Sequence, residues 1–588
     1  MLNGGNRYNL LKYSFTLILV LCLIQSGLAQ VFIHTKGQEI VDGKGKKILL
    51  RGVGLGNWML PEGYMWKFGK NGDRPRKIEK AVSDLIGPEK AEKFWKSFRE
   101  NYISEADIRR IAELGYNSVR PALNARLFLT EGENNVFVNE GFALLDNLIS
   151  WCKKYNLYVI IDMHAAPGGQ TGQNIDDSPN DEPELFTNLK NQDLLERLWV
   201  KIAERYRDEP AVAAYDLLNE PLPEMTGAAE KYKDQLIQVY ERLIKAIRVA
   251  DKKHMITLEG YNWANNWSMF GKPPDNNLVY QFHYYCWNKP DQLNPIDYFL
   301  EKQQQLNAPV WVGETGEKDN TIYFGTTQYF EKNNIGWSFW PWKKMDTKNT
   351  PYSIKTPSGW NEIVAYIKTG TKPGSAVDAE KSFNEFLENI QLKNCICYPE
   401  VVNAMFRRLP VKIEAENYGH DGFQKSYFVK DTLTRSAVYR MKEPVPVKVF
   451  GKDKSELCIE LTAGEWVEYA FDCNTKPANK IVIRAKALKE PARITVAVNG
   501  IRSDIGIESL DWSESKSDAF RFIPGLNKLT VLIKSGTIQL DWIDIQLFKK
   551  ITEPSSYLSL QIRCRAIAKM TNKTAASFRI NSTTFLFR

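Results

Sequence analysis

The sequence predicts a (β/α)8 barrel (TIM barrel) followed by an all-β antiparallel sandwich module of the jelly-roll type. Between residues 48 and 342, eight short apolar runs alternate with amphipathic helical stretches, as a parallel sheet covered on both faces requires. From 411 to 548 the pattern changes to short runs that alternate with period two, with Gly, Asn or Pro at the turns. A chain of 588 residues also exceeds what one hydrophobic core usually supports.

The barrel strands are predicted at eight runs, each followed by a turn that carries polar residues. A charged side chain at the end of a core strand is costly unless it has a partner or a task. The runs, in order, are ILLRGVGLG, NSVRP, LYVIIDMH, VAAYDLLNE, MITLEG, LVYQFHYY, VWVGETG and IGWSFW. Chemistry in such barrels lies at the carboxyl ends of the strands, so we expect the functional site there.

The segments around these two domains are assigned from composition. Lys12 precedes the apolar run FTLILVLCLI, and the small residues Gly27 and Ala29 follow, which is typical of a secretory signal peptide. The run is short for a membrane span, although a membrane anchor is the alternative. We therefore expect a secreted or periplasmic protein, without a stable membrane span, that acts as a monomer. The predicted divisions are a signal peptide at 1–29, the catalytic barrel at 30–372, a connecting segment at 373–409, the sandwich at 410–549 and a basic, disordered tail at 550–588.

Charge and cysteine content exclude several classes of protein. The net charge is +8, but the first 29 residues and the segment after 550 carry seven of these charges, so the remainder is nearly neutral and nucleic acid is not an expected partner. After Cys22, seven cysteines remain, without paired CxxC spacing, and they give no disulfide framework or metal motif. Usable P-loop, GxGxxG and GxSxG motifs are also absent from the sequence.

Two glutamates at predicted strand ends carry the chemical prediction. Glu220 lies in AAYDLLNEP and Glu314 in PVWVGETG, and the ends of all barrel strands meet at one mouth. Two carboxyl groups about 5 Å apart can cleave a glycosidic bond with retention, one as acid/base and one as nucleophile. We expect burial and the charge of Glu314 to raise the pKa of Glu220, and Arg120 to keep Glu314 ionised.

The strand-end motifs NSVRP, IIDMHAAPGGQTG, LLNEP, QFHYY, VGETG and GWSFWPWK, over residues 31–369, resemble glycoside hydrolase family 5 of clan A, the cellulase-like family. The resemblance implies that Glu220 is the acid/base, Glu314 the nucleophile and Asn219 the residue that binds the sugar 2-hydroxyl. LRGVGLGNW and APGGQTG look most like the branch that contains exo-β-1,3-glucanases. Further substrate-binding residues implied by the resemblance are Arg120 beside the nucleophile, His164, His283 and Tyr285 around the reactive subsite, and Trp340 as its aromatic floor.

The C-terminal motifs IEAENY, GEWVEYAF and GTIQLDWIDI resemble a carbohydrate-binding module of the family 6/35 type. The resemblance implies a structural Ca²⁺ held by Glu414, Glu416 and Asp541, whose oxygen ligands suit calcium. It also implies a sugar cleft at Tyr439, Trp512 and Gln539, although Gln539 stands where such modules usually have Asn.

Other residues have competing interpretations. Glu259 is expected to be a hydrogen-bonded rim residue, with direct substrate contact as the alternative. His164 and His283 could suggest zinc, yet the sequence offers no third ligand at a suitable spacing. Trp340 and Trp342 alternate along one strand, so only one of them can face the site.

The sequence thus predicts an exported retaining β-glucanase that acts on polysaccharide at β-1,3 or β-1,4 linkages, without a cofactor in catalysis. A β-mannanase or another β-glycosidase of the same family is one alternative. A non-catalytic polysaccharide-binding protein on a barrel scaffold is the alternative from another class, against which the presence of both Glu220 and Glu314 argues.

Overall fold

A computed structural model describes residues 30–286, 293–371, 375–452, 455–474 and 478–547. The predicted signal peptide and the predicted basic tail therefore lie outside the described residues. Within these ranges, none of the helices combines the length and apolar character needed to cross a membrane.

A hairpin of β1 (Ile33–Lys36) and β2 (Glu39–Asp42) precedes the barrel and was not predicted. Its apolar side chains Ile33 and Ile40 belong to a small separate core with Met255 and Trp311 of the barrel strands. The turn residue Gly37 has φ +56°, a conformation that glycine adopts at little cost. The hairpin covers the amino-terminal end of the barrel, opposite the mouth at which the predicted site residues lie.

The eight predicted parallel strands form a closed barrel, which confirms the predicted fold. The last strand pairs with the first, Trp337 lying opposite Arg51. Every residue of the second, fourth and seventh barrel strands is buried, which explains their largely apolar sequence. The strands are β3 (Arg51–Leu55), β4 (Ser118–Asn124), β5 (Tyr158–Ala165), β6 (Val212–Asp216), β7 (Met255–Glu259), β8 (Leu278–Tyr284), β9 (Val310–Gly316) and β10 (Gly336–Trp340).

Helices cover the outside of the barrel with their apolar faces. The longest helix directs Leu236, Tyr240, Leu243 and Ile247 inward, at the three- and four-residue spacing of an amphipathic helix. Its charged residues remain on the outer face. The helices are α1 (Pro75–Ile86), α2 (Pro88–Tyr102), α3 (Glu105–Glu113), α4 (Asn139–Lys154), α5 (Leu189–Tyr206), α6 (Ala228–Ala250), α7 (Ile296–Leu306), α8 (Asn320–Lys332), α9 (Trp360–Thr369), α10 (Ala376–Asn389) and α11 (Pro399–Met405).

A small sheet and two larger antiparallel sheets follow the barrel. The two larger sheets face each other over one apolar core, which confirms the predicted antiparallel sandwich fold. The small sheet contains β11 (Lys343–Met345), β12 (Tyr352–Ile354) and β13 (Ile396–Cys397). One large sheet contains β14 (Val411–Glu414), β16 (Val447–Phe450), β17 (Glu456–Thr462), β19 (Ala478–Ala487), β22 (Ser513–Lys516), β23 (Phe520–Arg521) and β25 (Thr537–Leu547), and the other β15 (Tyr427–Phe428), β18 (Trp466–Cys473), β20 (Ala492–Val498), β21 (Ile501–Ile507) and β24 (Gly525–Ser535).

The barrel and the sandwich are packed against each other. Their buried apolar residues form one contiguous cluster that runs from Val53 to Ile545. At Gly325 in α8 the approach is so close that a Cβ atom would lie 2.6 Å from Oδ1 of Asn417. Lys442 Nζ forms an ion pair with Asp297 Oδ2 at 2.6 Å across the same junction. The sandwich is therefore fixed directly against the barrel helices rather than held by a linker alone.

Candidate active site

The floor of the candidate site is the indole of Trp340, the last residue of β10. A Cβ atom at Gly54 would lie 2.2 Å from Cε3 of this ring, and one at Gly56 would lie 2.5 Å from Cζ2. The glycines of LRGVGLGNW therefore allow the indole to lie directly on the backbone. Nε1 of Trp340 donates to the hydroxyl of Tyr64 at 3.0 Å, and His164 stacks parallel to the ring at 5.2 Å. Trp342 instead donates to Asp107 and packs elsewhere.

Glu220 lies four residues beyond the end of β6, in a backbone conformation that is unusual for glutamate. Its φ is +45°, in the left-handed region, and its N–H donates to Oε2 of Glu259 at 2.6 Å. Gln170 of the APGGQTG loop donates to the carbonyl groups of His164 and Asn219, which ties the ends of β5 and β6 together. Oε1 of Glu220 lies 2.6 Å from Nδ1 of His283.

Glu314 projects from β9 toward the same space. Its Oε1 accepts from the Arg120 guanidinium at 2.7 Å, and its Oε2 accepts from the Tyr285 hydroxyl at 2.6 Å. One carboxylate oxygen of Glu314 and one of Glu220 lie within 4.8 Å of each other. The two glutamates therefore converge, as the strand positions predicted.

Arg120 is completely buried beneath the two glutamates and is the centre of a charge network. Its guanidinium forms ion pairs with four carboxylates, of which Asp216 lies at 2.9 Å and Glu259 at 3.1 Å. It also donates to Oδ1 of Asn219 at 2.8 Å. Since an isolated buried guanidinium would be very costly, the surrounding carboxylates stabilise Arg120, which in turn orients Glu314 and Asn219.

His164 is neutral in this arrangement. Burial lowers its pKa to about 4. Nδ1 lies 2.7 Å from Oδ2 of Asp162, and Nε2 lies 3.2 Å from the amide nitrogen of Asn219, which can only donate. The proton of the ring therefore resides on Nδ1, and Arg120 and His164 together fix the orientation of the Asn219 amide.

The protonation of the two glutamates differs from the sequence-based prediction. Burial alone would raise the pKa of Glu220, but the charge and the hydrogen bond of His283 outweigh it and lower the pKa. Burial raises the pKa of Glu314, against the opposing charges of His283 and Arg120. The prediction of a raised Glu220 pKa is thus wrong for the free protein, because sequence could not show that His283 contacts its carboxylate.

The site opens into a cavity of about 910 Å³. Glu62, which follows β3 in NWMLPEGY, lines it and was missed by the sequence analysis. Burial, and then the charges of Glu314 and Glu317, raise the pKa of Glu62 well above the usual carboxyl range. Its Oε1 is inaccessible to solvent and has no hydrogen-bond partner among the described residues. Glu62 is therefore a buried carboxyl group of the cavity wall, one oxygen of which accepts no hydrogen bond from the described residues.

Comparisons with known proteins agree with this geometry. A family model described as cellulase (glycosyl hydrolase family 5) matches residues 82–346. A β-xylosidase of Phanerodontia chrysosporium is 30% identical over 362 residues, which cover 55% of this chain and 74% of the relative. The chain belongs to glycosyl hydrolase family 5. It is therefore a hydrolase of the cellulase family, as predicted.

Two further relatives of this family 5 hydrolase have glucan-related names. Endoglucanase C of Acetivibrio thermocellus is 28% identical over 249 residues, which cover 42% of this chain and 66% of the relative. A probable glucan 1,3-β-glucosidase A of Emericella nidulans is 28% identical over 301 residues, which cover 49% of this chain and 71% of the relative.

The predicted barrel residues of the family 5 hydrolase form one connected hydrogen-bonded and stacked group. Arg120 and Asn219 are fully buried in its lower layer. Those that line the cavity are His164, Glu220, His283, Tyr285, Glu314 and Trp340. Residues that sequence reasoning missed are Glu62, Tyr64, Trp263 and Glu317 in the cavity wall and Asp162, Asp216 and Gln281 below it. Most of these follow strands in segments without periodic patterning, where a single sequence gives little signal.

The three residues of the predicted sugar cleft have different surroundings in the structure. Tyr439 is buried and donates to Oδ1 of Asn417 at 2.8 Å. Trp512 is half-buried with its ring 4.6 Å from that of Phe450, and Gln539 donates to Glu460 at 3.0 Å. Of the three residues, only Trp512 presents an aromatic ring near the surface.

The predicted calcium ligands line a second cavity, of about 280 Å³, between barrel and sandwich. Glu416 Oε2 is buried there without a hydrogen-bond partner among the described residues, which suits a cation. However, Arg484 already forms an ion pair with Asp541, and Lys412 lies 3.4 Å from Glu414. As these side chains are arranged, the three carboxylates do not fit a bound Ca²⁺, because the guanidinium stands where a cation would contact Asp541.

Within the described residues, the group that could by distance hold a metal ion is Glu220, His283 and Glu314. All three are already joined to protein partners. Glu220 contacts His283, while Glu314 accepts from Arg120 and Tyr285. The arrangement supplies an acid/base pair and an oriented carboxylate without rearrangement of these contacts.

Proposed function

We propose that the protein is an exported retaining β-glycosidase that hydrolyses β-glucan at β-1,3 or β-1,4 linkages by double displacement. The observation that carries this proposal is that oxygens of Glu220 and Glu314 lie within 4.8 Å of each other in the wall of one cavity. Retaining enzymes hold their two carboxyl groups about 5 Å apart, whereas inverting enzymes leave roughly 6.5–9.5 Å for a water molecule.

In the first step, Glu314 attacks the anomeric carbon while Glu220 protonates the departing glycosidic oxygen. Arg120 and Tyr285 orient the attacking carboxylate by binding one oxygen each. The leaving group takes its proton from the hydrogen-bonded pair of Glu220 and His283, in which Oε1 and Nδ1 lie 2.6 Å apart. The bond to the leaving oxygen breaks as the bond to Glu314 forms, which gives a glycosyl ester.

In the second step, Glu220 accepts a proton from water, which attacks the anomeric carbon and releases Glu314. Two displacements restore the original β configuration. In this scheme Asn219 binds the sugar 2-hydroxyl, Trp340 supports the ring by apolar contact, and His164 holds both in place through its stacking and its hydrogen bond.

A β-glucan substrate is supported by two of the relatives, named endoglucanase and probable glucan 1,3-β-glucosidase. The resemblance of LRGVGLGNW to the branch that contains exo-β-1,3-glucanases supports the β-1,3 linkage. A second candidate, β-xylosidase activity, is favoured by the name of the 30% identical relative. β-Mannanase activity and non-catalytic polysaccharide binding stay as the remaining alternatives.

Two measurements test the proposal. The anomeric configuration of the first product, followed by proton NMR, should be β; an α product would contradict the retaining mechanism. Initial rates on aryl β-glucoside, β-xyloside and β-mannoside, and products from laminarin, cellulose, lichenan and mannan, should identify the sugar and the linkage. Faster turnover of the xyloside would favour the second candidate, and no turnover of any substrate would favour a non-catalytic binder.

For the sandwich we propose a supporting role in polysaccharide binding, with Trp512 as the contact residue. The paired rings of Trp512 and Phe450, 4.6 Å apart, support this role because aromatic faces suit the apolar faces of sugars. Trp512→Ala should then weaken retention on insoluble glucan while turnover of a small aryl glycoside stays unchanged. Equal retention of both proteins would remove Trp512 from the binding surface.

A further inference from the structure

We propose that Glu259 is the positioning residue that holds the acid/base glutamate, Glu220, in its working conformation. This inference rests on the proposed retaining mechanism. Glu259 is the last residue of β7 and is 0% exposed. It is not part of the cavity wall formed by the described residues, so its carboxylate acts on other side chains rather than on the sugar.

One oxygen of Glu259 fixes the backbone of Glu220. Oε2 accepts from the Glu220 N–H at 2.6 Å, at a residue whose φ of +45° is uncommon for any side chain but glycine. Such a conformation is energetically costly and persists only where surrounding contacts enforce it. Leu222, also left-handed, accepts from the N–H of Asn262 at 2.9 Å. The last residue of β7 and the segment that follows it therefore hold the two ends of the Glu220–Leu222 turn.

The other oxygen of Glu259 connects the supports of both catalytic carboxylates. Oε1 lies 3.1 Å from the guanidinium of Arg120, which binds Glu314, and 3.3 Å from Nε2 of His283, which binds Glu220. Gln281 donates to the same oxygen. A single buried carboxylate thus contacts the acid/base backbone, the imidazole and the guanidinium at once and links their positions.

Asp216 provides a matched comparison because it shares the burial of Glu259 but not its contact with the acid/base. It is also completely buried, binds Arg120 at 2.9 Å and accepts from Gln281 at 3.0 Å. No hydrogen bond joins Asp216 to Glu220 or His283 among the described residues. A residue that only balances the charge of Arg120 should behave like Asp216.

The test is the dependence of kcat/KM on the leaving group. General acid catalysis contributes about 100- to 10,000-fold to the rate. Displacement of the acid should therefore slow substrates whose leaving group needs a proton far more than substrates with an activated leaving group. In Glu259→Gln, the side chain keeps one acceptor oxygen. It can therefore accept either from the Glu220 N–H or from the donors around Oε1, but not from both. On a substrate with a poor leaving group, such as an alkyl glycoside or a disaccharide, we expect kcat/KM to fall by about 100-fold or more. On a dinitrophenyl glycoside, whose leaving group needs no proton, the fall should be less than about 10-fold.

Asp216→Asn should lower kcat/KM by similar factors on both substrates. If Glu259→Gln does the same, or changes neither, the positioning role is wrong. Where Glu259→Gln does not fold, as judged by circular dichroism, Glu259→Asp keeps the charge but withdraws the oxygens and should show the same selective loss. A wild-type protein that cleaves neither substrate would overturn the proposed function, whereas equal losses in the variant would overturn this inference alone.

Discussion

Nδ1 of His283 lies 2.6 Å from Oε1 of Glu220, although the two residues are 63 positions apart in sequence. The same nitrogen lies 3.6 Å from Oε2 of Glu314. One imidazole therefore contacts both candidate catalytic carboxylates. Burial by itself would lower the pKa of His283, but the charges of Glu259, Glu314 and Glu220 outweigh it and raise the pKa well above the usual value.

A first prediction concerns pH. The pair of Glu220 and His283 must retain one proton to protonate the leaving group, and it loses that proton as the pH rises through the raised pKa of His283. In His283→Gln, Glu220 alone holds the proton, with a lower affinity than the pair. The alkaline limb of kcat/KM on an aryl glycoside should therefore move to lower pH. An alkaline limb at the wild-type position would contradict a shared proton.

A second prediction concerns the nucleophile. Glu314→Gln should reduce kcat on the order of a thousandfold or more, because Arg120 and Tyr285 both donate to the Glu314 carboxylate and orient it for attack. Glu317→Gln is the control, since Glu317 lines the same cavity but pairs with Lys344 at 2.5 Å. Comparable activity of the two variants would remove Glu314 as nucleophile.

A third prediction concerns the aromatic floor. Gly54→Ala should lower the free energy of unfolding by about 1–3 kcal/mol and raise KM, because the added Cβ would lie 2.2 Å from the Trp340 ring and displace it. Gly43→Ala is the matched control, since a Cβ there meets nothing within 4 Å. Thermal unfolding and steady-state kinetics of both variants check the prediction. An unchanged KM in Gly54→Ala would show that Trp340 does not contact substrate.

A fourth prediction concerns the junction cavity. Arg484→Met leaves Asp541 without its guanidinium, beside Glu414, whose pKa is raised by burial to about 7. We expect a lower melting temperature that millimolar Ca²⁺ restores, because calcium can then take the place of the guanidinium. Lys486→Met is the control, since Lys486 lies over the same Trp512 ring as Arg484. If Ca²⁺ stabilises the wild-type protein equally, calcium binds with Arg484 in place.

The barrel and the paired glutamates could be predicted because both depend on local sequence. Eight apolar runs specify buried parallel strands, and residues that follow such strands meet at one mouth. Glu220, four residues beyond β6, and Glu314, within β9, therefore converge at that mouth. By contrast, Glu62 lies in a long segment between β3 and β4, where no periodic pattern shows which side chain turns into the cavity.

Long-range contacts limited the remaining predictions. The sequence could not show that His283 lowers the pKa of Glu220, or that the left-handed backbone of Glu220 is bound by Glu259. In the sandwich, β15, β16, β22 and β23 are only two to four residues long, too short for an alternating pattern to reveal them. Tyr439 is buried against Asn417, a contact 22 residues away that alternation alone cannot specify.

The contact between Gly325 and Asn417 has a practical consequence for protein engineering. Since α8 accommodates the sandwich only where a side chain is absent, the C-terminal domain cannot be exchanged as an interchangeable cassette. A shortened enzyme that ends after α9 would lose Phe406, whose ring packs 5.3 Å from that of the buried Trp337, and would uncover that side of Trp337. Replacement domains for chimeric enzymes would have to reproduce the shape of this surface and not only the length of the linker.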